Sequence, residues 1–171
     1  AAGQVPASSP VDSFVSANGV RLHYVDWGGR GPVLLFLTGL GGNAHAFDGL
    51  APSFTDRFHV LAVTRRGQGQ SDQPPTGYDP ATLAEDIRGF LDALRIDRVT
   101  LIGYSVGGSE QTKFAGTYLQ RVDKLVYLDA AADYKSGQEL ATNPRTKYPL
   151  PLPEPDGPIG AIMRESTRED A

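Results

Sequence analysis

The sequence predicts an α/β fold built on a mostly parallel sheet, and three observations predict it. Four short apolar runs, PVLLFL (32–37), FHVLAV (58–63), RVTLIG (98–103) and KLVYLD (124–129), are continuous rather than alternating. Strands buried on both faces have this pattern. Helix-patterned segments fall between them, and β–α alternation at such spacing winds through right-handed crossovers with helices on both faces. Ahead of them, VDSFVSANGVRLHYVDW holds two strand-like runs around Asn18-Gly19. Both turn residues tolerate positive φ, the signature of an antiparallel hairpin.

Taken in order, residues 1–11 read as a flexible tail. The start AAGQVPASSP is small, polar and Pro-bearing. It fits the head of a mature exported protein after cleavage, or an expression scar, with the first preferred. Residues 12–134 form the core. A short helix is expected over 44–53. The clearest helix is 80–95, PATLAEDIRGFLDALR, where Leu83, Ile87, Phe90, Leu91 and Leu94 share one face. Asp79 is its N-cap, and Pro80 suits the first helical position. A further helix follows Ser105 to about Tyr118. From about 133 the pattern changes. NPRTKYPLPLPEPDGP is too rich in proline for a core strand or an ordinary helix. Residues 135–171 therefore read as the start of a Pro-rich cap or lid, ending in a helical IGAIMRESTREDA. No internal repeat is visible.

With 171 residues, the chain is long enough for one domain with a substantial core. Net charge is −4 with scattered Lys and Arg, which argues against a nucleic-acid groove. The absence of cysteine excludes disulfides, Cys metal sites and Cys nucleophiles. The longest strongly apolar run, VLLFL (33–37), is too short to span a bilayer.

Gly103-Tyr104-Ser105-Val106-Gly107 matches G-x-S-x-G between a strand and a helix. In such an elbow the serine sits on a sharp, strained turn, so the residues two before and two after must be small. The turn lifts the Ser105 hydroxyl above the carboxyl end of the sheet. It also sets the Val106 N–H at a helix N-terminus, facing a developing oxyanion. The plain alternative is a Gly-rich turn with an idle serine. FLTGLGGNAHAF (36–47) follows the first buried strand, and its Gly-rich turn at Gly39 can supply a second oxyanion N–H from Leu40 or its neighbour. A rival pattern overlaps it: Gly39-Leu40-Gly41-Gly42-Asn43-Ala44 fits G-x-G-x-x-A, a dinucleotide fingerprint. Thr64-Arg65-Arg66 after the next strand could then suit a 2′-phosphate. Against that rival, a hairpin precedes the motif and the Ser105 elbow is left without a purpose. RRGQGQSD (65–72) reads as structural, with Gly67 and Gly69 permitting a tight turn and Asp72 holding nearby N–H groups.

At these residues the chain resembles the α/β-hydrolase superfamily, in particular its fold-1 branch of esterases, epoxide hydrolases and dehalogenases. The shared pieces run in order: the hairpin, LTGLGGN, TRRGQGQSD, ATLAEDIRGFLDAL, GYSVGG and RVDKLVYLDAA, over about residues 12 to 134. The resemblance implies an α/β-hydrolase fold, here lacking the last strands. Ser105 stands where epoxide hydrolases and dehalogenases carry Asp, which points to ester hydrolysis through an acyl-enzyme. Thr38, Gln68 and Tyr104 replace residues that are often His in the family, none of them the catalytic base.

The resemblance also implies a triad in chain order Ser, Asp or Glu, then His. No histidine follows Ser105; the three present are His23, His45 and His59. In the family the histidine lies beyond the cap, so it is expected off this chain. His59, at the start of its strand, should lie at the opposite end of the sheet, and His23 should be structural. His45 is expected to line the pocket, with Gly39, Leu40, Tyr104 and Val106. Asp129, ending the sixth strand, is a secondary candidate for the triad acid. No cofactor and no metal are implied. The expected partner is a small ester substrate, with a homodimer or a complementing chain on the exposed edge of the sixth strand. The alternatives are a catalytically inactive binding domain of the same fold and, behind it, an NADP-linked reductase.

Overall fold

The computed structural model describes residues 9–130, so the tail before Ser9, the Pro-rich cap and the terminal helix expected from the sequence lie outside the described residues. Six strands form one sheet in the order β1-β2-β4-β3-β5-β6. The hairpin strands are β1 (Val11–Ala17) and β2 (Val20–Gly28), paired antiparallel with Ala17 opposite Val20. Asn18 and Gly19 between them have φ of 47° and 77°, the left-handed pair that a two-residue hairpin needs. The apolar runs become β3 (Val33–Leu37), β4 (His59–Val63), β5 (Val99–Tyr104) and β6 (Val122–Leu128). The pairs β4–β3, β3–β5 and β5–β6 are parallel, and β2 joins β4 antiparallel.

Helix α1 (Pro80–Ala93) starts where expected. The Asp79 carboxylate accepts from the N–H groups of Ala81 and Thr82, both at 3.0 Å. These are donors that the first helical turn otherwise leaves unpaired. Its Ala84, Ile87, Phe90 and Leu91 pack with Phe114 and Ala115 of α2 (Gly107–Thr117) on one sheet face, against Leu22, Leu35, Leu37, Leu61, Val63 and Leu101. Each such large side chain contributes about 1.5–3 kcal/mol by leaving water.

On the other face, Val25, Trp27, Leu34, Phe36, Val60 and Ala62 meet Ala44, Phe47 and Ala51. The helix expected over 44–53 is in fact two 3₁₀ turns, Ala44–Phe47 and Ala51–Phe54. Gly49 lies between them, and Pro52 has no N–H to extend an α-helical ladder. Strands β3, β4 and β5 are buried almost throughout. Strand β6 is different: Val126, Tyr127 and Leu128 are 42%, 40% and 38% exposed, and no described strand pairs with its outer edge.

This topology fixes where a site can form. The chain leaves β3 toward β4 on one side and leaves β5 toward β6 on the other. The loops after β3 and β5 diverge, opening a crevice at the carboxyl ends of these two neighbouring strands.

Candidate active site

Ser105 sits at that crevice. It follows β5 directly, is exposed, and has φ of 52°, a left-handed conformation that a non-glycine residue adopts at a cost. The neighbours explain how this turn closes. A Cβ on Gly103 would come within 2.5 Å of the Gly107 carbonyl oxygen, and one on Gly107 within 2.7 Å of the Leu37 carbonyl oxygen. Only glycine fits at either position. The turn is tied to the next strand by the Ser105 N–H donating to Leu128 O at 3.4 Å, and to α2 by Gly108 N–H donating to Ser105 O at 3.0 Å.

The Gly-rich loop after β3 packs directly on the elbow. A Cβ on Gly39 would lie 3.0 Å from the Tyr104 ring and 3.3 Å from Ser105 Cβ. Gly39, Tyr104 and Ser105 are thus brought together, with Leu40 next in the chain and 72% exposed. Val106 immediately precedes the first residue of α2. Among the described residues, neither the Leu40 nor the Val106 N–H has a backbone acceptor.

Several side chains that sequence reasoning treated as structural, or missed, hold this loop. With its amide nitrogen toward Gly42 O (2.7 Å) and its oxygen toward Gly41 N (3.1 Å), Gln68 spans the turn. Arg65 donates to Thr38 O at 3.2 Å and forms a buried ion pair with Glu110 of α2. Arg66 clasps Asp86 of α1 through two 2.5 Å bonds. Both guanidinium groups are therefore buried against internal carboxylates, not presented to a 2′-phosphate. The Gly-rich loop also leads into a 3₁₀ turn where a dinucleotide fingerprint needs a helix N-terminus. The reductase reading loses both of its supports. Asp72 behaves as expected: its carboxylate accepts from Arg21 N–H at 2.7 Å.

None of the three histidines hydrogen-bonds to Ser105 among the described residues. His59 pairs with Asp26 and, opposite Val33, occupies the starting end of the parallel strands. His23 is buried, with its ring between Asp12 and Thr64 at 2.8 Å each. His45 contacts Asp12 at 2.8 Å through Nε2 and Asp48 at 3.0 Å through Nδ1. With a carboxylate at each ring nitrogen, the His45 imidazolium is favoured. Hydrogen bonding to Asp12, reinforced by Asp48, raises its pKa above 6.5. Asp12 is held below the usual carboxylate range, chiefly by His23 and then by His45. His45, expected at the pocket, is thus committed to two carboxylates. Asp12, His23 and His45 are also the one group among the described residues with ligand atoms close enough for a metal ion. Their 2.8 Å separations are hydrogen-bond lengths, and Thr64 and Asp48 complete both rings, so protons alone account for the arrangement. Asp129 directly follows β6, exposed, with φ of 45°. It follows Leu128, whose carbonyl accepts the Ser105 N–H, so it sits at the correct end of the sheet.

A strained serine on a strand–helix turn, faced by a Gly-rich loop at a topological switch point, defines an α/β-hydrolase core. The chain belongs to that family: the alpha/beta hydrolase fold profile matches residues 32–163. Among curated proteins it is similar to a 2-(acetamidomethylene)succinate hydrolase of Mesorhizobium japonicum, 37% identical over 101 residues, covering 59% of this chain and 36% of the relative. It is also similar to a soluble epoxide hydrolase of Corynebacterium sp. C12, 37% identical over 112 residues, covering 66% of this chain and 39% of the relative. Among solved structures, a Bacillus megaterium epoxide hydrolase in complex with an inhibitor superposes with a TM-score of 0.71 at 31% identity, covering 77% of this chain and 47% of that one. The chain thus spans less than half the length of these relatives.

Proposed function

We propose that this chain carries the nucleophile and oxyanion hole of a serine hydrolase acting on carboxylic esters. The observation that carries the reading is the elbow: an exposed Ser105 at φ 52°, with Gly39 packed against it at the switch point. In this reading Ser105 Oγ attacks the acyl carbon. The carbonyl oxygen becomes an oxyanion held by the Val106 and Leu40 N–H groups. Collapse expels the alcohol and leaves the acyl group on Ser105, and water then releases the acid.

A histidine must take the serine proton and return it to the leaving alcohol. His23, His45 and His59 each hydrogen-bond to a carboxylate, and none of them pairs with Ser105 among the described residues; in this reading the base is a histidine other than these three. Asp129 is the candidate here for the acid that orients it. A serine at the elbow favours acyl transfer over the carboxylate chemistry of epoxide hydrolases. The relatives' names support hydrolysis, without singling out a substrate.

The test is covalent. The chain is incubated with p-nitrophenyl acetate, with imidazole supplied as base, and the labelled residue is located by mass spectrometry. Acetyl is expected on Ser105, faster with imidazole, and absent in Ser105→Ala. Equal labelling of the variant, or labelling only elsewhere, would contradict the reading.

A further inference from the structure

We propose that Arg65 is a positioning residue for the oxyanion hole, its guanidinium joining the Thr38 carbonyl, just ahead of Leu40, to the Glu110 carboxylate in the first turn of the helix behind Ser105. The proposal rests on the reading of Ser105 as the nucleophile. The two oxyanion donors belong to different segments, the loop after β3 and the head of α2. Their spacing has to be set by something that touches both.

Arg65 touches both. It donates to Thr38 O at 3.2 Å and pairs with Glu110, with the two side chains only 8% and 7% exposed. It also lies 3.3 Å from the oxygen of Gln68, which in turn holds Gly41 N–H and Gly42 O. A planar guanidinium can serve several acceptors at fixed angles, which an ammonium cannot. One side chain therefore links the whole turn from Thr38 to Gly42 with the first turn of α2.

Stability is a weak reason for such a pair. Buried ion pairs often stabilise no better than apolar packing, because both charges lose water. Burial pushes the Glu110 carboxyl up to about 7 from its ordinary 4.5, with Arg65 pulling the other way. The folded state then holds a proton that the unfolded chain has released between those values. Stability from this group falls as pH rises across that window and levels off above about 7. What the pair supplies is a link: it ties the loop bearing Leu40 to the first turn of α2, whose head follows Val106.

The experiment compares wild type, Arg65→Lys, Glu110→Gln and Ser105→Ala in aryl-ester turnover with imidazole supplied. Amide NMR shifts of Leu40 and Val106 are recorded on each, and melting temperature checks folding. Arg65→Lys is expected to lower kcat roughly tenfold to hundredfold with KM little changed, because misplaced oxyanion donors act on the transition state. The Leu40 and Val106 shifts move with it. Glu110→Gln, which is isosteric and uncharged, should move the same shifts and lower kcat by less. Unchanged kcat and unchanged shifts in folded Arg65→Lys and Glu110→Gln, with turnover lost in Ser105→Ala, would overturn the positioning role alone. Turnover retained in Ser105→Ala would overturn the nucleophile reading, and this proposal with it.

Discussion

His45 shows how much of a single residue's setting here lies in contacts distant in sequence. It follows the Gly-rich loop, and its ring bridges Asp12 of β1 and Asp48 beyond the first 3₁₀ turn. Asn43 caps that turn through the His45 N–H at 3.0 Å, so the histidine anchors the segment that follows the oxyanion loop. The titratable groups around it are Asp12, Asp48 and the His23 ring, whose centroid is 5.8 Å away. Because folding raises the His45 pKa, its contribution is complete below 6.5 and is lost as pH rises through the raised value. The melting-temperature difference between wild type and His45→Asn should therefore be largest near pH 6 and shrink in alkaline buffer, with about 1 kcal/mol or less at stake for so exposed a pair. A difference that is flat with pH would contradict this assignment.

At the scale of elements, what could be read from the sequence was local. Asn18-Gly19, Asp79-Pro80 and the two glycines flanking Ser105 each act through their own backbone, and each appears where the residue chemistry places it. The segment 44–53 shows the limit of that reasoning. Its apolar spacing suits a helix, but Gly49 and Pro52 divide it into two 3₁₀ turns. The links between elements were not legible. Arg65 with Glu110, Arg66 with Asp86, and His45 with Asp12 join residues far apart in sequence, and no periodicity records such pairs. The α1 cap gives a direct check. Asp79→Ala removes the acceptor for Ala81 and Thr82 N–H and should lower the midpoint of chemical denaturation. No measurable loss would mean that the cap is redundant.

At the scale of the whole molecule, the fold class and the elbow followed from the order of strands, helices and turns. Substrate choice did not, because nothing in the pattern of residues 9–130 specifies an acyl or alcohol group. The sixth strand raises a separate issue. Its apolar run resembles its buried neighbours, but Val126, Tyr127 and Leu128 are substantially exposed among the described residues. An unpaired apolar edge is a template for another chain. A polypeptide of these 171 residues is therefore expected to self-associate in light scattering, and a monodisperse monomer would contradict that.

The most direct test of the central claim is turnover of a short-chain aryl ester by the 171-residue chain beside its Ser105→Ala variant, each with and without imidazole. A Ser105-based hydrolase gives wild-type turnover that is slow alone, rises with imidazole, and disappears in the variant. Wild type and variant that behave alike under both conditions would contradict it, leaving an α/β-hydrolase core whose serine takes no part in catalysis.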